Sequence, residues 1–330
     1  MRGRSEGGIW ASAWLAVAAV IALGGVGVGA AGPADLLKIA PPTHEAFIYV
    51  DVAQMRTTKL YQDLEKDLLN ESVRAGLAEF EQFTGMRLPD DLDIAAASGK
   101  IAQETKGCIY LRGRMDRQRI EAVLSANPGY TEISKPSGKI IGFLDEGKGT
   151  MSYLSFLRDD LVVVGQKEAV EASVDAAGGQ SPSLADNAKV EAQIAGAGTN
   201  PMVLILALRP QSLPPDLIGV PIIQNIQSGL LTLVSGPTTM TVSARLEAES
   251  PEMAATWLEA IRGLIAIGQL QQKSLKLAEV AQHASAAQDG KTVAVRLEFN
   301  AAKAGEVVRQ AVAAKRTRAD MSQEPSSAQW

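Results

Sequence analysis

Apolar residues change their spacing several times along this chain, and each change marks an element. Ala46-Phe47-Ile48-Tyr49-Val50 is rich in β-branched and aromatic residues and predicts a strand over 46–52. Over 57–84 the pattern lengthens. Leu60, Leu64, Leu68, Leu69, Val73, Leu77, Phe80 and Phe83 recur every three or four residues, so they line one face of a long helix that Gly85 can stop. The period then shortens again. Strands are expected at 93–98, 106–112, 130–134, 139–144, 150–157 and 161–165, joined by turns such as Pro136-Ser137-Gly138 and Arg158-Asp159-Asp160. Asp116 is placed to cap a helix running to Ser125, and a second helix is expected over 167–177.

The pattern restarts after Gly178-Gly179. Met202 to Leu208 is an apolar strand preceded by Pro201, much as the first strand is preceded by Glu45. A proline-rich loop and a helix over 222–228 lead to strands at 229–234 and 238–248. Ser250-Pro251-Glu252 combines a cap, a proline for the first helical position and an acid, and so starts a helix with Trp257, Leu258, Ile261, Leu264 and Ile265 inward. Thr292 to Phe299 alternates as a strand, and a last helix is expected over 301–316.

Two local comparisons point to an internal repeat. The run from Gly107 to Asp116 matches the run from Thr239 to Ala248, and the run from Asp159 to Gln166 matches that from Gly290 to Leu297; a helix is expected after each. Strands come in groups and helices singly between them. That order predicts an α+β fold of mainly antiparallel sheets, with helices packed on one face and two related halves. The expected organisation is an N-terminal segment over 1–30, a tether over 31–44, one half over 45–178, a linker and helix over 179–200, a second half over 201–316 and a disordered tail over 317–330.

The N-terminal segment supplies the address. Arg2 and Arg4 precede a stretch from Gly7 to Ala34 without a charged side chain, with an apolar centre and an exit of small residues at Val28-Gly29-Ala30-Ala31. These are the parts of a secretory signal peptide. The competing expectation is an uncleaved anchor, which Gly24, Gly25, Gly27 and Gly29 disfavour. Either way the body of the chain is expected on the outer side of the membrane, in the periplasm or on the membrane's extracytoplasmic face. Across 330 residues the composition is 46% hydrophobic and 21% charged, which is globular. The formal charge of −5 does not suggest a nucleic-acid partner. The single cysteine, Cys108, allows no internal disulfide and is expected as a buried thiol.

Candidate chemistry is sparse. Gly142 to Thr150 comes nearest to a phosphate loop, but Gly149 stands where Ser or Thr must follow Lys148, and a strand is expected next instead of a helix. His44 and His283 are the two histidines, and neither has metal-ligand spacing. Asp90, Asp91 and Asp93 form the tightest acidic cluster; turn residues account for them better than a calcium loop does. Asn70-Glu71-Ser72 is a formal sequon inside a predicted helix. No catalytic residue, metal ligand or cofactor site is therefore assigned.

The layout resembles a loose class of uncharacterised exported bacterial proteins. They combine a signal segment, a proline-bounded first strand and a long helix with a turn like Thr84-Gly85-x-x-Leu88-Pro89-x-Asp91-Leu92. A strand like Phe156-Leu157-x-x-Asp160-Leu161-Val162-Val163-Val164-Gly165 then runs into a helix. The resemblance implies an α+β fold and carries no activity. The function expected is that of a non-catalytic envelope protein, a binding or scaffold module for a protein partner. The alternatives are a carrier of a lipid or other apolar ligand, whose cavity the helical stripes would line, and a carboxylate-based hydrolase.

Overall fold

The computed structural model describes residues 32–59, 61–62, 71–100, 107–145, 149–198, 200–208, 226–236, 238–270 and 282–301. The expected signal segment, the proline-rich loop, the last helix and the tail lie outside these, Ala301 apart.

Among the described residues twelve strands form one antiparallel sheet. The first half supplies β1 (Ala46–Asp51), β2 (Leu92–Gly99), β3 (Gly107–Gly113), β4 (Thr131–Lys135), β5 (Gly138–Asp145), β6 (Thr150–Arg158) and β7 (Leu161–Gly165). The second supplies β8 (Val203–Leu208), β9 (Ser228–Ser235), β10 (Thr239–Glu247), β11 (Ala284–Asp289) and β12 (Thr292–Asn300). Their order across the sheet is β11-β12-β10-β9-β8-β1-β2-β3-β7-β6-β5-β4. The halves meet where β1 and β8 pair, with Ile48 opposite Ile205. The chain is therefore α+β with a large antiparallel sheet. The end of the helix expected over 222–228 is instead the start of β9, at Ser228.

Among the described residues the α-helices with defined bounds are α1 (Pro33–Leu37), α2 (Val52–Met55), α3 (Glu71–Thr84), α4 (Arg117–Ser125), α5 (Lys167–Ala177), α6 (Ala188–Ala195) and α7 (Pro251–Leu270). Asp116 caps α4 as expected, its carboxylate accepting the Arg119 N–H at 3.0 Å. Among the described residues no helix is long and apolar enough to cross a membrane.

The expectation that helices pack on one face is corrected. Successive residues of a strand point to opposite faces, and here both are apolar in the first half. Val50, Ala95, Leu111 and Val162 build one core with α2, α3 and α4. Their neighbours Tyr49, Ala96, Tyr110 and Val163 build another with α1, α5 and α6. We call these the front and back faces. α7 also lies on the front, where Ala254 and Trp257 pack on Leu246 and Val293. The two-sided burial is visible in β7, whose run Leu161-Val162-Val163-Val164 has no polar alternate.

The expected tether is corrected too. Leu36, Leu37 and Ala40 are buried in the back core, and the Leu184 N–H donates to the Ala40 carbonyl at 2.8 Å. Segment 33–44 thus packs on the sheet. Its leucines sit in a short helix with proline at its start, and an apolar pair at one helix side is a docking signal.

Candidate functional site

Two features stand out, one on each face. On the back, five polar side chains meet inside the core. His44, two residues before β1, reaches Ser98 near the end of β2, with Nδ1 and Oγ 2.7 Å apart. Ser98 Oγ lies 3.2 Å from the Tyr110 hydroxyl and 3.6 Å from Cys108 Sγ. The Cys108 thiol donates to the Tyr110 oxygen at 3.1 Å, and Ser173 of α5 closes the chain at 2.9 Å from the same hydroxyl. All five are buried. Register explains the meeting: Ser98 pairs with Cys108 across β2 and β3, and residues two apart share a face.

Burial governs the charges of this network. It pushes the Cys108 thiol up, and it holds the Tyr110 phenol well above its usual range. Burial, with the nearby charge of Lys100, lowers His44 to about 4. His44 is therefore neutral at pH 7. A serine and a histidine at hydrogen-bond distance invite comparison with a nucleophile and its base. Here the base is too weak to take a proton at neutral pH, and Ser98 faces Tyr110 and Cys108 within the core.

His44 also forms part of a pocket of about 430 Å³, with Thr43, Lys100, Gln166, Glu168 and Ala169 among the lining residues. Gln166 is the N-cap of α5 and makes no side-chain cap.

On the front, register lines up three apolar rows over five strands. One row is Ile48, Ile205, Leu231, Ala244 and Val295. A second is Val50, Val203, Leu233, Val242 and Leu297, and a third is Ala46, Ala207, Gly229, Leu246 and Val293. No polar side chain interrupts them. α7 covers the third row at Leu246 and Val293. The centre stays open: Ile205 is 40% exposed and Leu231 38%. Behind these rows β10 and β12 are polar, with Thr241, Ser243, Arg245 and Glu247 on β10 and Arg296 and Glu298 on β12, whereas β1 and β8 place Tyr49, Leu204 and Leu206 in the back core.

The other sequence candidates are occupied elsewhere. Asp91 is drawn into ion pairs with Arg114 at 2.6 Å and Arg87 at 3.3 Å. Burial works against its charge, but the Arg87 N–H and guanidinium and the Arg114 charge hold it below the usual carboxylate range. Asp159 pairs with Arg117, and Asp160 with Arg112 and Arg158. Among the described residues no group of acids, histidines and cysteine could hold a metal ion. Gly142 lies in β5 and Thr150 in β6, which pair antiparallel, so Gly149 leads into a strand; residues 146–148 lie outside the described residues. His283 is exposed just before β11. Asn70 lies outside the described residues.

Sequence reasoning treated His44 as part of a tether and so missed the network. The signals available were the neighbouring Pro41-Pro42, which fix the chain direction, and three polar residues in apolar strands, Ser98, Cys108 and Tyr110. Nothing in spacing joins them, because 54 residues separate His44 from Ser98.

No protein-family model matches this chain, and no curated protein matches it. Solved structures do. Crystal form III of TP0453 matches with a TM-score of 0.50 and 12% identity, covering 86% of this chain and 99% of that one. Crystal forms I and IV of the same protein align at a TM-score of 0.46, with 11% and 12% identity over 83% and 82% of this chain. The likeness to form III is one of fold: this chain is similar to TP0453 in its α+β architecture.

Proposed function

We propose that this chain is an exported, non-catalytic binding protein of the cell envelope, and that it carries an apolar ligand on the front face of its second half. The three uninterrupted apolar rows with Ile205 and Leu231 open at their centre carry this reading. Apolar area of this kind is costly to leave in water, at about 25 cal/mol per Å². A bound extended peptide would bury its own N–H and C=O groups against a wall that offers no partner, at about 1–3 kcal/mol each. A hydrocarbon chain loses nothing there. That difference favours a lipid or similar ligand over the protein partner of the scaffold reading. The hydrolase reading has less support, because Asp91, Asp159 and Asp160 are engaged by arginines.

The same proposal includes a duplicated framework. Counting outward from the central pair, β1-β2-β3-β7-β6 runs one way and β8-β9-β10-β12-β11 the other. The stretches that match in sequence therefore fall in matching slots, β3 with β10 and β7 with β12. The expected N-terminal signal or anchor gives the location.

Native mass spectrometry of the gently purified protein tests the ligand. Added mass of a lipid is expected, and Ile205→Gln with Leu231→Gln should remove most of it while leaving the circular dichroism unchanged. A spectrum free of added mass, together with no uptake of fatty acid or phospholipid from vesicles, overturns the reading.

A further inference from the structure

The two ends of the sheet are defended differently. An edge strand presents unpaired N–H and C=O groups that can template another strand, and charges on the edge oppose this. β4 at one end carries Glu132 and Lys135, which pair with Lys139 and Asp175. β11 at the other end reads Ala284-Ser285-Ala286-Ala287-Gln288-Asp289. It has no charge before its last residue and no proline, and its six pairs with β12 run without a bulge.

Two hydrogen bonds fix which backbone groups look outward. The Glu298 N–H donates to the His283 carbonyl, so His283, Ser285, Ala287 and Asp289 turn their backbone groups to β12. Ala284, Ala286 and Gln288 turn theirs away. The Arg262 guanidinium of α7 donates to the Ala286 carbonyl from that outer side, at 3.4 Å. The contact is long and exposed, and a backbone N–H can take its place. Among the described residues no strand pairs there.

This edge is complementary to itself. With a two-fold axis at Ala286, β11 meets a second β11 running antiparallel. Ala286 then faces Ala286, and Ala284 faces Gln288, each pair exchanging two N–H···O=C bonds. The pairs between them set Ser285 opposite Ala287 and His283 opposite Asp289. All four of these residues are exposed. The first pair is small, and the second places an imidazole against a carboxylate on each side of the axis. Any other register leaves His283 and Asp289 unmatched, and a foreign strand has no reason to carry the match.

We propose that β11 is a homodimer seam, where two copies of this chain join edge to edge about Ala286 and the sheet continues from one molecule into the next. The seam is independent of the front-face ligand.

Sedimentation velocity of the gently purified protein from about 1 to 200 µM tests this. A reversible monomer–dimer equilibrium is expected in that range. Ala286→Pro removes an N–H that β12 does not use, a change that an edge strand tolerates. It should weaken association about ten-fold or more, with circular dichroism unchanged. Asp289→Lys sets a cation opposite His283 and should weaken association too, and adding His283→Asp should restore it. The register has its own test. Ser285→Cys combined with Ala287→Cys should give a covalent dimer on mild oxidation, and either change alone far less; Cys108 is buried and does not compete. The amides of Ala284, Ala286 and Gln288 should exchange fast in the dilute monomer and slowly in the dimer. A monomer at every concentration overturns the proposal. So does association that neither Ala286→Pro nor Asp289→Lys weakens, or a double-cysteine variant that does not cross-link. Should Ala286→Pro alter the circular dichroism, the charge exchange between His283 and Asp289 decides alone.

Discussion

His44 is neutral at pH 7 because its ring is buried and Lys100 repels a second positive charge. Its folded value of about 4 lies below the unfolded value of 6.5. Between those two values the unfolded chain binds a proton that the folded chain does not. The stability it contributes is therefore complete above pH 6.5, falls as pH drops toward 4, and falls no further below that. Replacing it by glutamine should flatten the pH dependence in this window, by up to about 3 kcal/mol. Urea unfolding of both proteins at pH 7 and pH 4.5 checks the difference; equal slopes would show that His44 does not titrate this way. Tyr110 is the hub of the same network, touching Ser98, Cys108 and Ser173. Tyr110→Phe keeps the ring and removes the hydroxyl. It should cost about 1–3 kcal/mol, because two buried serines lose a shared partner.

Single elements are tied together by close backbone approach and by caps. At Gly165 in β7, a Cβ would stand 2.5 Å from the Gly107 carbonyl oxygen and 2.7 Å from Cys108 Cα. Both are backbone atoms of β3, and neither can rotate away. Gly165→Ala should therefore push β7 from β3 and destabilise the protein by about 1–3 kcal/mol, seen as a lower denaturation midpoint. Asp116→Ala tests the α4 cap. Losing the bond to the Arg119 N–H should cost about 1 kcal/mol, and thermal unfolding measures it. Elements such as α4, α5 and the β6–β7 hairpin were legible in sequence, since each has its own period, cap or turn residue. α1 was not legible as packed structure. It has five residues, too few for a periodic pattern, and its place is set by Leu184 and the sheet beneath it.

For the molecule as a whole, the single sheet implies mechanical continuity. β1 pairs with β2 on one side and β8 on the other, so opening either half exposes a central strand. Amide hydrogen exchange should find the slowest protons in β1 and β8, and faster ones toward β4 and β11 at the edges. Two independent exchange blocks split between β1 and β8 would show that the halves open separately.

The sequence by itself determined most of the local grammar: the stretches that form most strands and helices, the mainly antiparallel arrangement, and the buried state of Cys108, though not strand β11 or the start of β9 at Ser228. These follow from nearest-neighbour chemistry, since period, capping and turn geometry act over a few residues. Only the tertiary structure decided that helices cover both faces, that the halves share one sheet and that segment 33–44 is packed. It also decided that His44 meets Ser98 and that fifteen apolar positions line up on the front face. Those outcomes depend on strand order and register, which bring together residues far apart in the chain. A change of strand order, or a slip of one residue, would move every partner without altering any local signal.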